Sequence, residues 1–127
     1  MAMKLQSRAA AFLACIIFVF AAGRGAADEV PLATGEHWTK STAQIKKAYL
    51  VGIANLLQIE RAYYGSDPPT DAQSLVPRFV RGVEGQTLDS VRETLDKWYQ
   101  AHPDQLARPI IETIWFEVVM PELRRGK

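Results

Sequence analysis

The sequence predicts an all-α domain, and two patterns support this prediction. Apolar residues recur at three- and four-residue spacing in three separate stretches, which is the period of a helix with one buried side. No stretch alternates apolar and polar residues over enough positions to indicate a β-strand. We therefore expect a compact four-helix domain, with one long, one short and two medium helices.

The first 27 residues have the three-part layout of a secretory signal peptide. Lys4 and Arg8 give a basic start, residues 9–22 form an apolar run, and small residues precede the expected cleavage site after Ala27. The run is shorter than the roughly 20 residues that span a bilayer, so we expect no stable membrane insertion after cleavage. The signal predicts Sec-type export to the periplasm.

Cleavage at this site would leave an extended N-terminal segment over residues 28–40 and a single helical domain over residues 41–127. The mature chain has no cysteine, because Cys15 lies in the middle of the apolar run. A lipid-bearing cysteine would instead close such a run. Neither a disulfide nor a thiolate metal site is therefore available to the exported domain.

The charge of the mature chain excludes a nucleic-acid partner. Three of the 15 Lys and Arg residues lie in the signal peptide, which leaves 12 against 14 Asp and Glu residues. A net charge of about −2 leaves no excess of positive charge to attract the phosphates of a nucleic acid.

The long helix is predicted in "STAQIKKAYLVGIANLLQIERAYYG". Ser41 and Gln44 fit a capping box at its start, and Gly65 fits its end. Gly52 lies within the apolar side, where a close crossing with another helix would explain it. The other residues expected on this core-facing side are Ile45, Ala48, Tyr49, Ile53, Leu56, Ile59 and Tyr63.

The remaining helices are shorter. A short helix is expected near residues 71–76, ending before Pro77, with Phe79 turned inward from an irregular turn. Thr87 caps a third helix, "LDSVRETLDKWYQA", and the fourth, "PIIETIWFEVVM", is expected to end at Pro121. Their expected core residues include Leu88, Val91, Leu95, Trp98, Ile114, Trp115 and Val118.

The stretch "LDKWYQAHPDQLARP" contains the strongest candidate for a functional histidine. His102 continues the apolar side of the third helix and precedes Pro103, so we interpret it as a helix-end residue packed on Trp98. Proton exchange near neutral pH is the functional alternative. The expected binding residues, taken from this stretch and from aromatic positions elsewhere in the chain, are Tyr64, Tyr99, His102 and Trp38.

No catalytic residue, cofactor or metal site is predicted. The chain contains no Walker loop, GxSxG, HExxH or haem-binding CxxCH motif. His37 and His102 lack helical metal-ligand spacing and a carboxylate cluster that would complete a site. The expected class is a non-enzymatic protein; the alternative is a small periplasmic enzyme, or a metal- or ligand-binding factor, that uses His102 or His37.

The segments "GEHWTKSTAQIKKAYLVGI" and "GVEGQTLDSVRETLDKWYQAHP" resemble the small periplasmic helical proteins grouped with the Tai-type immunity proteins of type VI secretion. The resemblance implies an all-α periplasmic domain, often dimeric, that blocks the active site of a secreted peptidoglycan amidase. The chain departs from this family because it lacks the cysteines that commonly form a disulfide. The leading expectation is an exported protein that binds or inhibits a protein partner, with a homodimer as an open alternative.

Overall fold

A computed structural model describes residues 30–126, so the expected signal peptide lies outside the described residues. Helices make up most of the described chain. Within residues 30–126, the sole β-type pairing is an isolated antiparallel bridge between Thr34 and Pro109. The all-α fold class is therefore confirmed.

Four helices come first, and a helix with one widened turn closes the domain. The widened turn has π geometry and runs into the helical segments on either side of it, so we call the whole of residues 110–125 the C-terminal helix. The elements are α1 (Gly35–Lys40), α2 (Ala43–Tyr64), α3 (Val76–Val83), α4 (Leu88–Ala101), a 3₁₀ turn (Pro103–Gln105), α5 (Ile110–Ile114), the π turn (Trp115–Val119) and α6 (Met120–Arg125).

Helix α1 corrects the expectation of an extended segment over residues 28–40. It is too short for a periodic sequence signal, and contacts with distant residues hold it in place. The backbone N–H of Gly35 donates to the carbonyl of Arg108 at 3.1 Å, and that of Glu36 donates to Leu106 at 3.0 Å. A Cβ atom at Gly35 would overlap the ring of Tyr99, so a glycine is required there.

Helix α2 matches the predicted long helix, but its cap is one residue later than expected. The hydroxyl of Thr42 accepts the N–H of Ile45 at 3.3 Å, whereas Ser41 donates to the carbonyl of His37 at 2.6 Å. Gly65 ends the helix with a φ of 55°, as predicted from its freedom to adopt that conformation.

Helix α3 begins where the sequence predicted a short helix to end. Residues 71–73 form a turn, and Pro77 occupies the first turn of α3. The missing N–H of a proline costs nothing at that position, because no helical carbonyl is available to accept it. Phe79 is buried as predicted.

The core is formed by α4 and the C-terminal helix, with buried residues of α1, α2 and α3 packed against them. Leu95, Ile114 and Val118 are buried, which confirms three predicted core residues. Ile45 and Leu56 were expected to join them, and this prediction is wrong because both side chains are exposed on α2.

The close helix crossing expected at Gly52 occurs at Gly82 instead. A Cβ atom at Gly82 would lie 2.7 Å from the Cα atom of Val119, so α3 and the π turn can touch only through a glycine. A Cβ atom at Gly52 would have no neighbour within 4 Å.

The C-terminal helix continues past Pro121, where the sequence predicted its end. In a regular α-helix the proline ring would clash with the carbonyl four residues earlier. The π turn precedes this point, with the N–H of Met120 donating to the carbonyl of Trp115 five residues back. This wider hydrogen-bond spacing accommodates Pro121.

Candidate functional site

An apolar surface runs along the outer side of α2. The residues Ile45, Leu56, Ile59 and Tyr63 are 58%, 62%, 68% and 81% exposed, respectively. Their spacing places them on one side of the helix, together with Ala48 and Gly52. We call this set the α2 stripe; its members are Ile45, Ala48, Gly52, Leu56, Ile59 and Tyr63.

The α2 stripe carries no charge. Between Lys47 and Glu60 the sequence of α2 contains no charged residue, so nothing on the stripe opposes the approach of another apolar surface. The stripe extends over about 27 Å at 1.5 Å per residue. Contiguous exposed apolar surface of this size commonly marks an interaction site.

The opposite side of α2 holds the helix in the domain. Leu50 and Leu57 are buried, and Ile53 packs against the core. Burial of this side leaves the stripe in solvent, because the two apolar sides lie on opposite sides of one helix.

A polar cluster between α1, α2 and α4 fixes this rotation of α2. Lys46 forms an ion pair with Asp96 at 2.7 Å, and Trp38 donates its Nε1–H to the same carboxylate oxygen at 2.8 Å. Arg92 contacts the other carboxylate oxygen at 3.1 Å. Burial raises the pKa of Asp96, but hydrogen bonds from Lys46 and Trp38 and the nearby positive charges outweigh it, so the pKa of this carboxyl is lowered.

Two of the four expected binding residues lie in the core. Trp38 is 2% exposed and Tyr99 is 1% exposed, so neither can form part of a surface contacted by a partner in this structure. The hydroxyl of Tyr99 donates to the carbonyl of Arg108 at 3.0 Å. It also lies 2.9 Å from the hydroxyl of Thr113. Burial raises the pKa of Tyr99, which keeps the hydroxyl protonated. Both aromatic residues act in packing.

Tyr64 is exposed, as its assignment to a surface requires. Its ring meets that of Tyr63 edge-on at 5.0 Å between centroids. Tyr63 is the more exposed of the two and belongs to the α2 stripe, while Tyr64 lines a cleft of about 350 Å³ beside Pro68 and Pro77.

His102 occupies the end of α4 and stacks on Trp98, as the sequence predicted. The two rings lie 4.3 Å apart with an 18° angle between their planes, and the Nδ1 atom is 2.7 Å from the carbonyl oxygen of Trp98. Arg108 lies over the Trp98 ring at 4.6 Å and contacts Glu112 and Glu117, each at 3.3 Å. With these contacts, the end of α4 around His102 is a packed structural element.

His37 lies at the start of the domain, in α1. Its Nδ1 atom accepts the backbone N–H of Thr34 at 3.1 Å, which completes a capping box for α1. Among residues 30–126, no group of three or more His, Cys, Asp or Glu side chains is placed to hold a metal ion.

A groove of about 500 Å³ opens between α2, α3 and the start of α4. Leu57, Val83 and Leu88 line its apolar floor, and Gln58 and Arg61 lie at its α2 side. The groove is separate from the α2 stripe, because its α2 residues lie on a different side of that helix.

Comparison with protein-family models, with curated proteins and with solved structures finds no match to this chain. Within the part of the chain that the structure describes, no helix has the length and apolar character needed to cross a membrane.

Sequence reasoning found the residues of the α2 stripe but assigned them to the core. The signal in the sequence that could have indicated their exposure is the uncharged run between Lys47 and Glu60, which leaves α2 apolar on both sides. In this small domain the core covers one of the two apolar sides of α2 and leaves the other exposed.

Proposed function

We propose that this chain is a non-enzymatic exported protein that acts on a protein partner, and that its action depends on the α2 stripe. The observation that supports this proposal most directly is the exposure of four large apolar side chains in one uncharged line. Exposed apolar surface is retained in a stable domain when another molecule covers it.

The environment of the two histidines supports a binding role over a catalytic one. His37 is engaged by the backbone of Thr34, and His102 is stacked and bonded to the backbone carbonyl of Trp98. Each side chain therefore contributes to the end of its own helix.

The sequence resemblance adds a specific partner class to this proposal. The partner is a secreted peptidoglycan amidase of type VI secretion, and the exported chain inhibits it in the periplasm. Inhibition by a bound protein requires a rigid surface rather than a reactive group, and the long capped helix α2 provides such a surface.

The experiment is an assay of peptidoglycan hydrolysis by such an amidase with and without the purified chain. Ile59→Glu places a charge within the α2 stripe, and Gln58→Glu places the same charge one residue away, beside the groove. We expect the unmodified chain and Gln58→Glu to inhibit, and Ile59→Glu to lose at least tenfold in potency. Equal potency of the two variants would show that the stripe is not involved, and no inhibition by the unmodified chain would overturn the amidase role.

A further inference from the structure

We propose that the groove between α2, α3 and the start of α4 binds a fatty acid, whose carboxylate pairs with Arg61 and whose hydrocarbon chain covers the apolar floor. The groove lies on a different side of α2 from the α2 stripe. This inference therefore goes beyond the proposed function and does not depend on it.

The apolar lining of the groove is continuous with the core of the domain. Leu57 and Phe79 are buried core residues, and Ile53, Val83 and Leu88 pack against the core while part of their surface stays exposed; all five line the groove. The volume of about 500 Å³ lies within the range of about 300–1,000 Å³ that is usual for small-molecule sites. An apolar ligand would remove the exposed part of these side chains from water, which favours binding.

A positive charge borders this apolar lining. Among residues 30–126, Arg61 is the one cation that lines the groove, and it also lines the neighbouring cleft beside Tyr64. Within the same residues Arg61 forms no ion pair, in contrast to Arg81 of α3, which pairs with Asp71 at 2.8 Å. A guanidinium can form two parallel hydrogen bonds to one carboxylate. The groove therefore combines an apolar surface with a charge that suits an anionic head group.

Charge also sets the direction of the bound chain. The end of α2 and the start of α3 line the neighbouring cleft, whereas earlier residues of α2 and later residues of α3 line the groove, so the two helices run in opposite directions there. Glu84 follows α3 and lines the groove, so it lies toward the end opposite Arg61. A carboxylate is attracted to the Arg61 end and repelled from the Glu84 end.

The dimensions of the groove favour a hydrocarbon chain over a peptide. Arg61 lies 11 residues after Leu50, the first α2 residue in the lining, which corresponds to about 16 Å along the helix. A peptide helix of that length, about 10 Å across, would fill roughly 1,200 Å³, more than twice the volume of the groove. An extended peptide would bury backbone N–H and carbonyl groups against helices, whose own backbone groups are already paired. A hydrocarbon chain has no such groups to satisfy.

Calorimetric titration with dodecanoate, below the concentration at which it forms micelles, tests the role of Arg61. The purified full chain should bind dodecanoate at least tenfold more tightly than dodecanol, which has a hydrocarbon chain of the same length and no charge. Arg61→Ala should remove this preference. Arg124→Ala is the matched control and should keep it, because Arg124 is equally an exposed arginine but does not line the groove. A preference that persists in Arg61→Ala would overturn the assignment of the head group.

Two substitutions in α2 test where the hydrocarbon chain lies. Ala54 lines the groove, so Ala54→Phe should fill the space and raise the dissociation constant for dodecanoate at least tenfold. Ala62 lies in the same helix, is exposed and lines neither cavity, so Ala62→Phe should change that constant less than twofold. Residues 1–29 are identical in all variants, so binding to that part of the chain would not separate them. Equal affinities of the two variants would place the hydrocarbon chain elsewhere and overturn the inference.

Nuclear magnetic resonance of the unmodified chain locates the site without any substitution. Dodecanoate should shift the backbone amide signals of Val83 and Leu88 and leave those of Ile45 and Ile59, on the α2 stripe, unchanged. Shifts confined to the stripe, or the absence of saturable binding, would overturn the inference. Signals at the groove that respond to an apolar peptide but not to dodecanoate would also overturn it and would assign the groove to a protein ligand.

Discussion

Helices α4 and α2 both show clear apolar periodicity, yet the structure buries the predicted side of α4 and exposes most of the predicted side of α2, where Tyr49 and Ile53 pack against the core. In α4, Val91 and Leu95 are buried as the pattern indicates. In α2, Ile45, Leu56 and Ile59 follow an equally regular pattern and lie in solvent.

The difference comes from the second side of each helix. The outer side of α4 carries charged residues such as Asp89, Glu93 and Lys97, so only one side can enter a core. In α2, Leu50 and Leu57 form a second apolar side opposite the stripe. Periodicity therefore identifies a helix and its apolar sides, but it cannot choose between two apolar sides.

The largest expected effect compares one leucine from each helix. Leu95→Ala should lower the free energy of unfolding by about 2–5 kcal/mol, because Leu95 is fully buried and its removal leaves a cavity. Leu56→Ala should change it by less than about 0.5 kcal/mol, because an exposed residue loses little contact. Urea denaturation followed by circular dichroism measures both. Equal losses would mean that the α2 stripe packs within its own domain.

A second prediction concerns the polar cluster that fixes the rotation of α2. Asp96→Asn should cost about 1–3 kcal/mol near neutral pH, because Lys46 and Trp38 lose a charged hydrogen-bond acceptor. Thermal or urea unfolding at pH 7 measures the loss, and Asp104→Asn, exposed in the 3₁₀ turn away from the cluster, is the matched control.

For the same variant, we predict how the free energy of unfolding depends on pH, with a sign set by the lowered pKa of Asp96. The lowered pKa of Asp96 means that the folded chain holds this carboxylate ionised more strongly than the unfolded chain, whose carboxyl has its ordinary pKa of 3.8. Its stabilisation is complete above that value and is lost as the pH falls through the lower pKa of the folded state. The stability difference between the unmodified chain and Asp96→Asn should therefore shrink in acid; a constant difference from pH 7 down to about pH 2 would contradict the assignment.

Substitutions at Gly82 and Gly52 compare a close contact inside the domain with a solvent-exposed surface. Gly82→Ala should cost about 1–3 kcal/mol, because the new Cβ atom meets the backbone of Val119. Gly52→Ala should stabilise the domain by about 0.5–1 kcal/mol, because alanine favours the helix and nothing obstructs it. Denaturation midpoints of the two variants should shift in opposite directions, and a loss of stability in Gly52→Ala would reveal a contact within the chain.

A modest effect is expected at the end of α4. His102→Gln should cost about 0.5–1.5 kcal/mol, because it removes the ring stacked on Trp98 while keeping a polar side chain. Potency in the amidase assay should stay unchanged. Lost inhibition with stability retained would make His102 a functional residue.

Much of the fold could be predicted because it depends on residues close together in the sequence. Thr87 caps α4 through Ser90, three residues away, and Gly65 ends α2 through its own backbone conformation. Helix α1 could not be predicted in this way, because hydrogen bonds to Leu106 and Arg108 hold it. The residues of the candidate site were visible as an apolar pattern, but their exposure was not.

The sequence by itself determined that this chain forms helices, where α4 begins and where α2 ends, since capping hydrogen bonds and turn conformations act over a few residues. Only the tertiary structure decided which side of α2 faces solvent. That choice depends on contacts between residues far apart in the chain, such as the ion pair of Lys46 with Asp96 and the packing of Leu50 and Leu57 against the core. A helix with two apolar sides takes its orientation from its neighbours, because its own pattern favours neither side.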